Sequence, residues 1–553
     1  MHGLATYWHT LRHLKPVQFY GRIWFRCARS RPDMRPGPQR RLCGAGGWVQ
    51  PAQRRPSLLA PTRFCFLNET QELTDHGWDD PALAKLWRYN LHYFDDLNAS
   101  DATARKPWHY LLLVRWVREN PPAAGTGWEP YPTSLRIANW IKWSLNGNDL
   151  PPECVQSLGV QARWLARRIE IHLLGNHLFA NAKALVFAGL FFDGPEANGW
   201  LEKGLRILER ETAEQILADG GHFERSPMYH ALILEDILDL CNLAAAFPDI
   251  ILAGWHSGVE KWRLQIQRMR GWLMAMCHPD GEIGFFNDAA TGIAPAPSEL
   301  ERYARRLRFA ALPNSTGSVI ELDSSGYVRV ERSESMALLD VAPIGPDYLP
   351  AHAHADTLSF ELSLFGQRVF VNSGTSRYGT GVERLRQRGT AAHNTVVVDG
   401  QNSSEVWGGF RVAERAHPGG VSVSRNGAIE VKCSHDGYRR LHGKPTHQRR
   451  WKFRENELIV EDRISGTFVS AQARYHLHPS VRIADSSFGE KNAAIKLQIQ
   501  QGSTVEFSVE GGLLRVEDST WHPQFGVSQP NHCLVVDFGG PSVRARIAWN
   551  HAL

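Results

Sequence analysis

Apolar residues recur at three- and four-residue intervals from about residue 80 to 310, in segments such as WLEKGLRILERETAEQIL and HALILEDILDLCNLAAAF. That spacing lays one face of a helix against a core. Pro and Gly punctuate this half at helix-length intervals, as in NGNDLPPE (146–153) and FFDGPEANG (191–199). The pattern predicts many paired helices, arranged as a toroid or a solenoid, with no fixed sequence period. Near residue 315 the period shortens to alternation, rich in β-branched residues: GYVRVE, SMALLDVA, LSFELSLFGQRVFVNSG, NTVVVDG and WKFRENELIVEDRISG. Turn residues separate these runs at strand length, and no helical pattern intervenes to carry parallel crossovers, so an antiparallel sandwich is expected. The fold class is α+β multidomain, helices first and sheets second.

The N-terminal stretch MHGLATYWHTLRHLKPVQFYGRIWFRCARSRP interrupts every apolar run with Arg12, Lys15, Arg22 or Arg26. It lacks the unbroken apolar segment of a secretory signal, and no run in the chain approaches the roughly 18 to 20 residues needed to span a bilayer. A cytoplasmic location is the default expectation, with a periplasmic one if an export signal is missing. The stretch reads as an amphipathic helix with Trp8, Leu11 and Leu14 on one side; packing on the rest of the protein is favoured over contact with a membrane surface. Residues 30–62, rich in Pro, Gly and Arg, read as a linker or a draped loop. The expected boundaries are 1–62 for this N-terminal part, 63–312 for the helical domain and 313–553 for the sheet domain.

Composition narrows the partners without naming one. Hydrophobic residues make up 43% and charged residues 22%, as in ordinary globular proteins. The net charge of +5 is small for 553 residues; it does not argue for nucleic acid and it permits an acidic ligand. Eight scattered cysteines without a C-x-x-C pair read as reduced, mostly buried thiols.

Three regions carry candidate chemistry. His352, His354 and Asp356 alternate in strand-like sequence, followed by Asn372 and by His393-Asn394. Imidazoles two apart on an extended segment share a face, so a metal or a proton-transfer site is in reach. In the helical half, Asn176 and His177 follow a glycine break, either as cap and boundary residues or as groups pointing into a cleft. Further on, Ser226-Pro227 reads as a helix start that puts Tyr229 in the first turn beside Arg225, where a phenolate would be favoured.

Taken together, GNHLFANAKAL, GGHFERSPMYH, HAHADTLSFEL, VNSGTSRYG and AAHNTVVVDG resemble, in that order, the heparinase II/III family of polysaccharide lyases. WEPYPTSLRIANWIKW (128–143), HPDGEIGFFNDA (278–289) and RYHLHPSV (474–481) extend the likeness over about residues 80 to 480. The resemblance implies an incomplete α/α toroid followed by an antiparallel β-sandwich, with a cleft where they meet. It implies β-elimination at a uronic acid of an acidic polysaccharide or oligosaccharide. Asn176 and His177 would neutralise the substrate carboxylate and Tyr229 would be general acid and, for one uronate epimer, base as well. His352 would be partner base or clamp, and Tyr378 a second tyrosine. Glu224, Arg225, Tyr131 and Arg136 are the expected substrate-binding set. His354 and His393 match two ligands of a structural zinc whose third ligand is commonly Asp. Asn372 stands at that position, with Asp356 or water in reserve, and a metal-free histidine cluster is the alternative. No organic cofactor is expected.

Two rival functions follow from the residues. A toroid-type glycoside hydrolase needs two carboxylic acids roughly 5 to 9.5 Å apart, with Glu224, Asp280, Glu282 and Asp288 as candidates. A non-catalytic carbohydrate-binding protein has 19 Trp and 13 Tyr for stacking on sugars. Oligomeric state and the identity of the polysaccharide are not encoded in these patterns.

Overall fold

A computed structural model describes residues 3–28, 30–41, 47–73, 77–250, 254–313, 317–487, 493–499 and 503–550. Of the eight cysteines, Cys43 lies outside the described residues; Cys27 is exposed, Cys65 half-buried and the other five buried, all of them free.

The helical half opens with Lys85–Tyr93 and ends with Pro297–Arg306. Proline occupies the first turn of the helices Lys106–Glu119, Pro130–Leu145, Pro152–Arg167, Pro195–Gln215, Pro227–Ala246 and Pro297–Arg306. Its missing N–H is unpaired there in any case and its φ suits a helix start, so the prolines read as punctuation are starts. The helix Gly175–Phe191 is the hub: it packs on Pro130–Leu145, Pro195–Gln215 and Pro227–Ala246, and from Leu178 onward every residue is buried. An apolar surface covered on all sides explains its lack of a polar face.

The segment read as linker and then helix contains a three-stranded meander, Leu58–Ala60, Arg63–Phe66 and Glu69–Glu72, which closes over Trp87 through Phe66. Before it the chain is draped over the helices, with Arg41 N–H donating to the Phe191 carbonyl and Gln156 accepting from Gly37 N–H.

From Val319 onward the chain is antiparallel sheet. A five-stranded meander runs from Val319–Leu322 to Gln367–Phe370, and its last strand bridges to Leu477, next to a four-stranded sheet. An eight-stranded sheet forms the other layer, with strand order beginning at Pro418–Ser424 and ending at Arg482–Ser487. Strands such as Ile429–His435 and Thr504–Glu510 alternate buried and open positions; their inward Val, Ile and Phe fill one continuous core with Trp451, Tyr475 and Trp549. The toroid-then-sandwich architecture is therefore present. One short helix, Val382–Arg388, interrupts the sheet half. Its buried Arg384 reaches Asp288 of the helical half.

Candidate active site

Tyr229 sits where the sequence placed it, in the first turn of Pro227–Ala246. Ser226 caps that helix: its hydroxyl accepts from Tyr229 N–H at 3.2 Å and donates to the Asp288 carbonyl. The Tyr229 ring stacks on His352, with centroids 3.9 Å apart and planes 29° from parallel, and its hydroxyl lies 2.9 Å from that of Tyr378. Burial, reinforced by Tyr378 and Asp288, drives the Tyr229 phenol far above its ordinary range. Burial and Asp288 do the same to Tyr378. Both are neutral proton donors at physiological pH. The expected phenolate is therefore corrected. Arg225, at φ +59, turns its guanidinium away to the carbonyls of Ser325 and Phe223, so it neither polarises Tyr229 nor reaches the cleft as a substrate-binding group.

Asp288 is the organising residue of the site. It is fully buried, and the guanidinium of Arg384, also fully buried, donates to both its oxygens. His352 Nδ1 lies 2.9 Å from one oxygen and His354 Nε2 2.9 Å from the other, while Thr375 donates at 3.3 Å. Desolvation opposes its charge, but Arg384 and the two imidazoles outweigh it and hold the carboxyl well below the usual carboxylate range. An ionised carboxylate only accepts. His352 Nδ1 and His354 Nε2 must therefore be the donors, and the Nε2 of a neutral His352 keeps a lone pair aimed into the cleft. That is the tautomer of a general base. The sequence offers Asp288 only as a candidate hydrolase carboxylate, within HPDGEIGFFNDA; no local pattern signals its pairing with Arg384.

Facing His352 Nε2 at 3.7 Å is Glu224, 2% exposed, whose two oxygens have no hydrogen-bond partner among the described residues. Burial raises its carboxyl, so a proton is favoured there. Gly175, at φ +54, marks the other wall: a Cβ on it would come within 3.0 Å of Glu224 and 2.6 Å of the Leu349 side chain, which is the space a glycine alone leaves open. Asn176 and His177 follow on the first turn of Gly175–Phe191. Asn176 faces the Tyr131 hydroxyl, and the His177 ring lies tilted against the Tyr131 ring, centroids 4.4 Å apart, with Nδ1 3.2 Å from Glu170. Both are half-buried. Phe410, 41% exposed, forms the opposite rim over Tyr378.

Arg136 belongs elsewhere. It is fully buried under Trp116, 3.8 Å from that ring, and donates to Gln161 and to the Gly127 carbonyl. It ties helices together and cannot touch a substrate.

The three residues expected around zinc do not form one ligand set. His354 Nδ1 and His393 Nε2 lie 3.3 Å apart. Burial lowers the two imidazoles to about 4 and about 3, so both are neutral. Because His354 Nε2–H is committed to Asp288, His393 Nε2–H donates to His354. Asn372 directs its amide to Ser359 and its oxygen to Asn394 N–H, and Asp356 accepts from Asn287 N–H. Among the described residues no group of three or more His, Cys, Asp or Glu converges as a metal site. The residues do not fit a zinc, whose structural sites take four ligands.

Residues 95–306 match the heparinase II/III N-terminus and residues 314–550 the heparinase II/III-like C-terminal domain. The chain is 25% identical over 380 residues to a heparin-sulfate lyase of Bacteroides stercoris, covering 63% of this chain and 53% of that protein. It is also 25% identical over 365 residues to the FtsZ-localized protein C of Caulobacter vibrioides, covering 61% of this chain and 59% of that one. It thus spans just over half the length of these relatives. The crystal structure of heparinase III superposes with a TM-score of 0.67 at 18% identity, over 85% of this chain and 77% of that one; the likeness is one of fold.

Proposed function

Because the chain belongs to the heparinase II/III family, we propose that it cleaves a uronic-acid-containing polysaccharide or oligosaccharide by β-elimination. The observation that carries this reading is the pairing of a base-competent imidazole with a neutral phenol in one stack, His352 against Tyr229. Elimination needs a proton taken from C5 and a proton given to the oxygen leaving C4. His352 Nε2 takes the first, with Asp288 holding its tautomer and stabilising the imidazolium that results. The C5 electron pair becomes the C4–C5 double bond as the C4–O bond breaks, and the Tyr229 phenol supplies the proton to the departing oxygen. Elimination leaves an imidazolium at His352 and a phenolate at Tyr229, and water that enters as product leaves takes the proton from His352 and returns one to Tyr229.

The C5 proton is hardly acidic while the adjacent carboxylate keeps its charge. Glu224, whose carboxyl burial raises and whose oxygens have no hydrogen-bond partner among the described residues, donates from its protonated form to that carboxylate, and the Asn176 amide and His177 add donors from the helix start. Each such donor is commonly worth about 3 to 4 kcal/mol in a site closed to water. No step is assigned to a metal.

A hydrolase has less support. Asp288 is locked by Arg384 and Asp280 accepts from Arg368, so neither is free to pair with Glu224 across a scissile bond.

A panel of uronate polymers tests the reading by ultraviolet absorbance of the unsaturated product. The parent enzyme raises the absorbance with at least one polymer, and Tyr229→Phe lowers kcat by about a hundred- to ten-thousand-fold. New reducing ends without absorbance would assign hydrolysis instead. A folded protein that changes none of the panel would overturn the lyase assignment.

A further inference from the structure

The two N-terminal helices, Leu4–Leu11 and Pro16–Cys27, turn their apolar stripes outward. On the second, Phe19, Tyr20, Ile23 and Trp24 are 46%, 58%, 67% and 67% exposed. They recur at the spacing of one helix face. On the first, Trp8 is 65% exposed and Leu4 and Leu11 lie on the same stripe, also in solvent. The expectation that this segment buries its apolar side is thus overturned. What it buries is its small and polar side: Gly21 against His172, Gln18 donating to the Tyr348 carbonyl, and Thr6 donating to Glu405. The apolar face is no product of a loose end, because Trp407 donates to Thr10, the Lys15 ammonium sits over the Tyr348 ring, and Arg168 sits over Phe25.

Charge identifies the occupant. Residues 1–32 contain no Asp or Glu, while Arg12, Lys15, Arg22, Arg26, Arg29 and Arg31 are all basic. Arg22 and Arg26 flank the stripe on exposed positions with no acidic partner among the described residues. Aromatic and aliphatic side chains on one face with guanidiniums beside them are the makeup of a helix that lies in a lipid interface. No described helix is long and apolar enough to cross a membrane, so the mode is lying on the surface.

We propose that the paired N-terminal helices seat the protein on an anionic lipid bilayer, with Trp8, Phe19, Ile23 and Trp24 in the interface and Arg22 and Arg26 on the headgroups. The helices rest on His172, three residues before Gly175, and on Trp407, three before Phe410, so they flank both walls of the cleft. Membrane seating holds that cleft beside the bilayer. This inference stands apart from the lyase reading and does not require it.

Vesicle flotation of the full chain tests it. The protein floats with vesicles of phosphatidylcholine and phosphatidylglycerol and floats less with phosphatidylcholine alone, and high salt weakens the binding. Ile23→Asp with Trp24→Asp lowers the partition by about tenfold to a hundredfold, since each removes an inserted apolar side chain. Arg22→Glu with Arg26→Glu loses the preference for anionic vesicles. The altered side chains are exposed, so both double variants keep the parent melting temperature. Flotation that neither pair alters would overturn the proposal, as would a protein that stays in solution with both vesicle types. Dimerisation of the parent that Trp24→Asp abolishes would instead assign the face to a second copy of the chain.

Discussion

Replacing Asp288 with Asn separates the two tasks of the buried ion pair, holding Arg384 and setting the His352 tautomer. The substitution keeps the shape and removes the charge. Arg384 is fully buried and its guanidinium donates to both Asp288 oxygens, while two imidazole N–H groups converge on the same atoms. An amide offers one accepting oxygen, and its NH2 then faces N–H donors. Breaking a buried pair from one side costs about 3 to 5 kcal/mol, and the added donor clash places Asp288→Asn toward the upper end. That is a large part of the roughly 5 to 15 kcal/mol that holds a domain folded. The expected drop in melting temperature is on the order of 10 °C. Activity on the best polymer falls by about a hundred- to ten-thousand-fold, because His352 is free to present N–H instead of a lone pair. Thermal unfolding followed by circular dichroism measures the first effect, and initial rates below the melting range measure the second. Asp288→Leu with Arg384→Met removes both charges; it recovers stability relative to Asp288→Asn and recovers no activity. An Asp288→Asn protein that melts within a degree or two of the parent, or keeps kcat within about threefold, refutes the role argued for this residue.

Three further outcomes follow from the same cluster. Glu224→Gln keeps a donor for the substrate carboxylate but cannot ionise, so the parent should lose kcat/KM as pH rises through the raised Glu224 range while the variant does not; equal alkaline limbs would remove Glu224 from the clamp. Folding shows the matching sign: above the ordinary 4.5 the unfolded chain releases the Glu224 proton first, so that contribution to stability declines with rising pH. His354 and His393 act oppositely, since between 6.5 and about 4 or about 3 only the unfolded chain takes up their protons. Stability is lost as pH falls through that window, at about 1.4 kcal/mol per pH unit for each ring, and His393→Gln should reduce the slope of the denaturation midpoint against pH by one such contribution. Finally, purified protein should carry no stoichiometric zinc, and a chelator should leave its melting temperature unchanged; one tightly held zinc per chain would restore His354, Asn372 and His393 as a ligand set.

Residues whose role depends on their immediate neighbours were legible in the chain. The helix start at Ser226-Pro227 placed Tyr229, because capping is a local rule; His352 and His354, expected on a strand-like run, lie instead in the turn and loop before Phe360–Leu364, and the tertiary fold brings both to Asp288. Roles that depend on what lies across the core were not. A guanidinium is visible in sequence as a charge, yet Arg136 is covered by Trp116 and Arg384 by Tyr378 and Phe410, and only tertiary packing decides between a buried tie and a substrate contact. The pairing of Asp288 with Arg384 spans 96 positions, beyond any periodic signal. The N-terminal helices add a subtler case. Their apolar stripe was readable, but a stripe says only that a face seeks a nonaqueous neighbour, and a protein core and a lipid surface ask for the same spacing. What distinguishes them is the other side of the helix: Gly21 fits against His172 where a larger residue would collide, so the small, polar face is the one shaped for the protein, and the apolar face is left for something outside it.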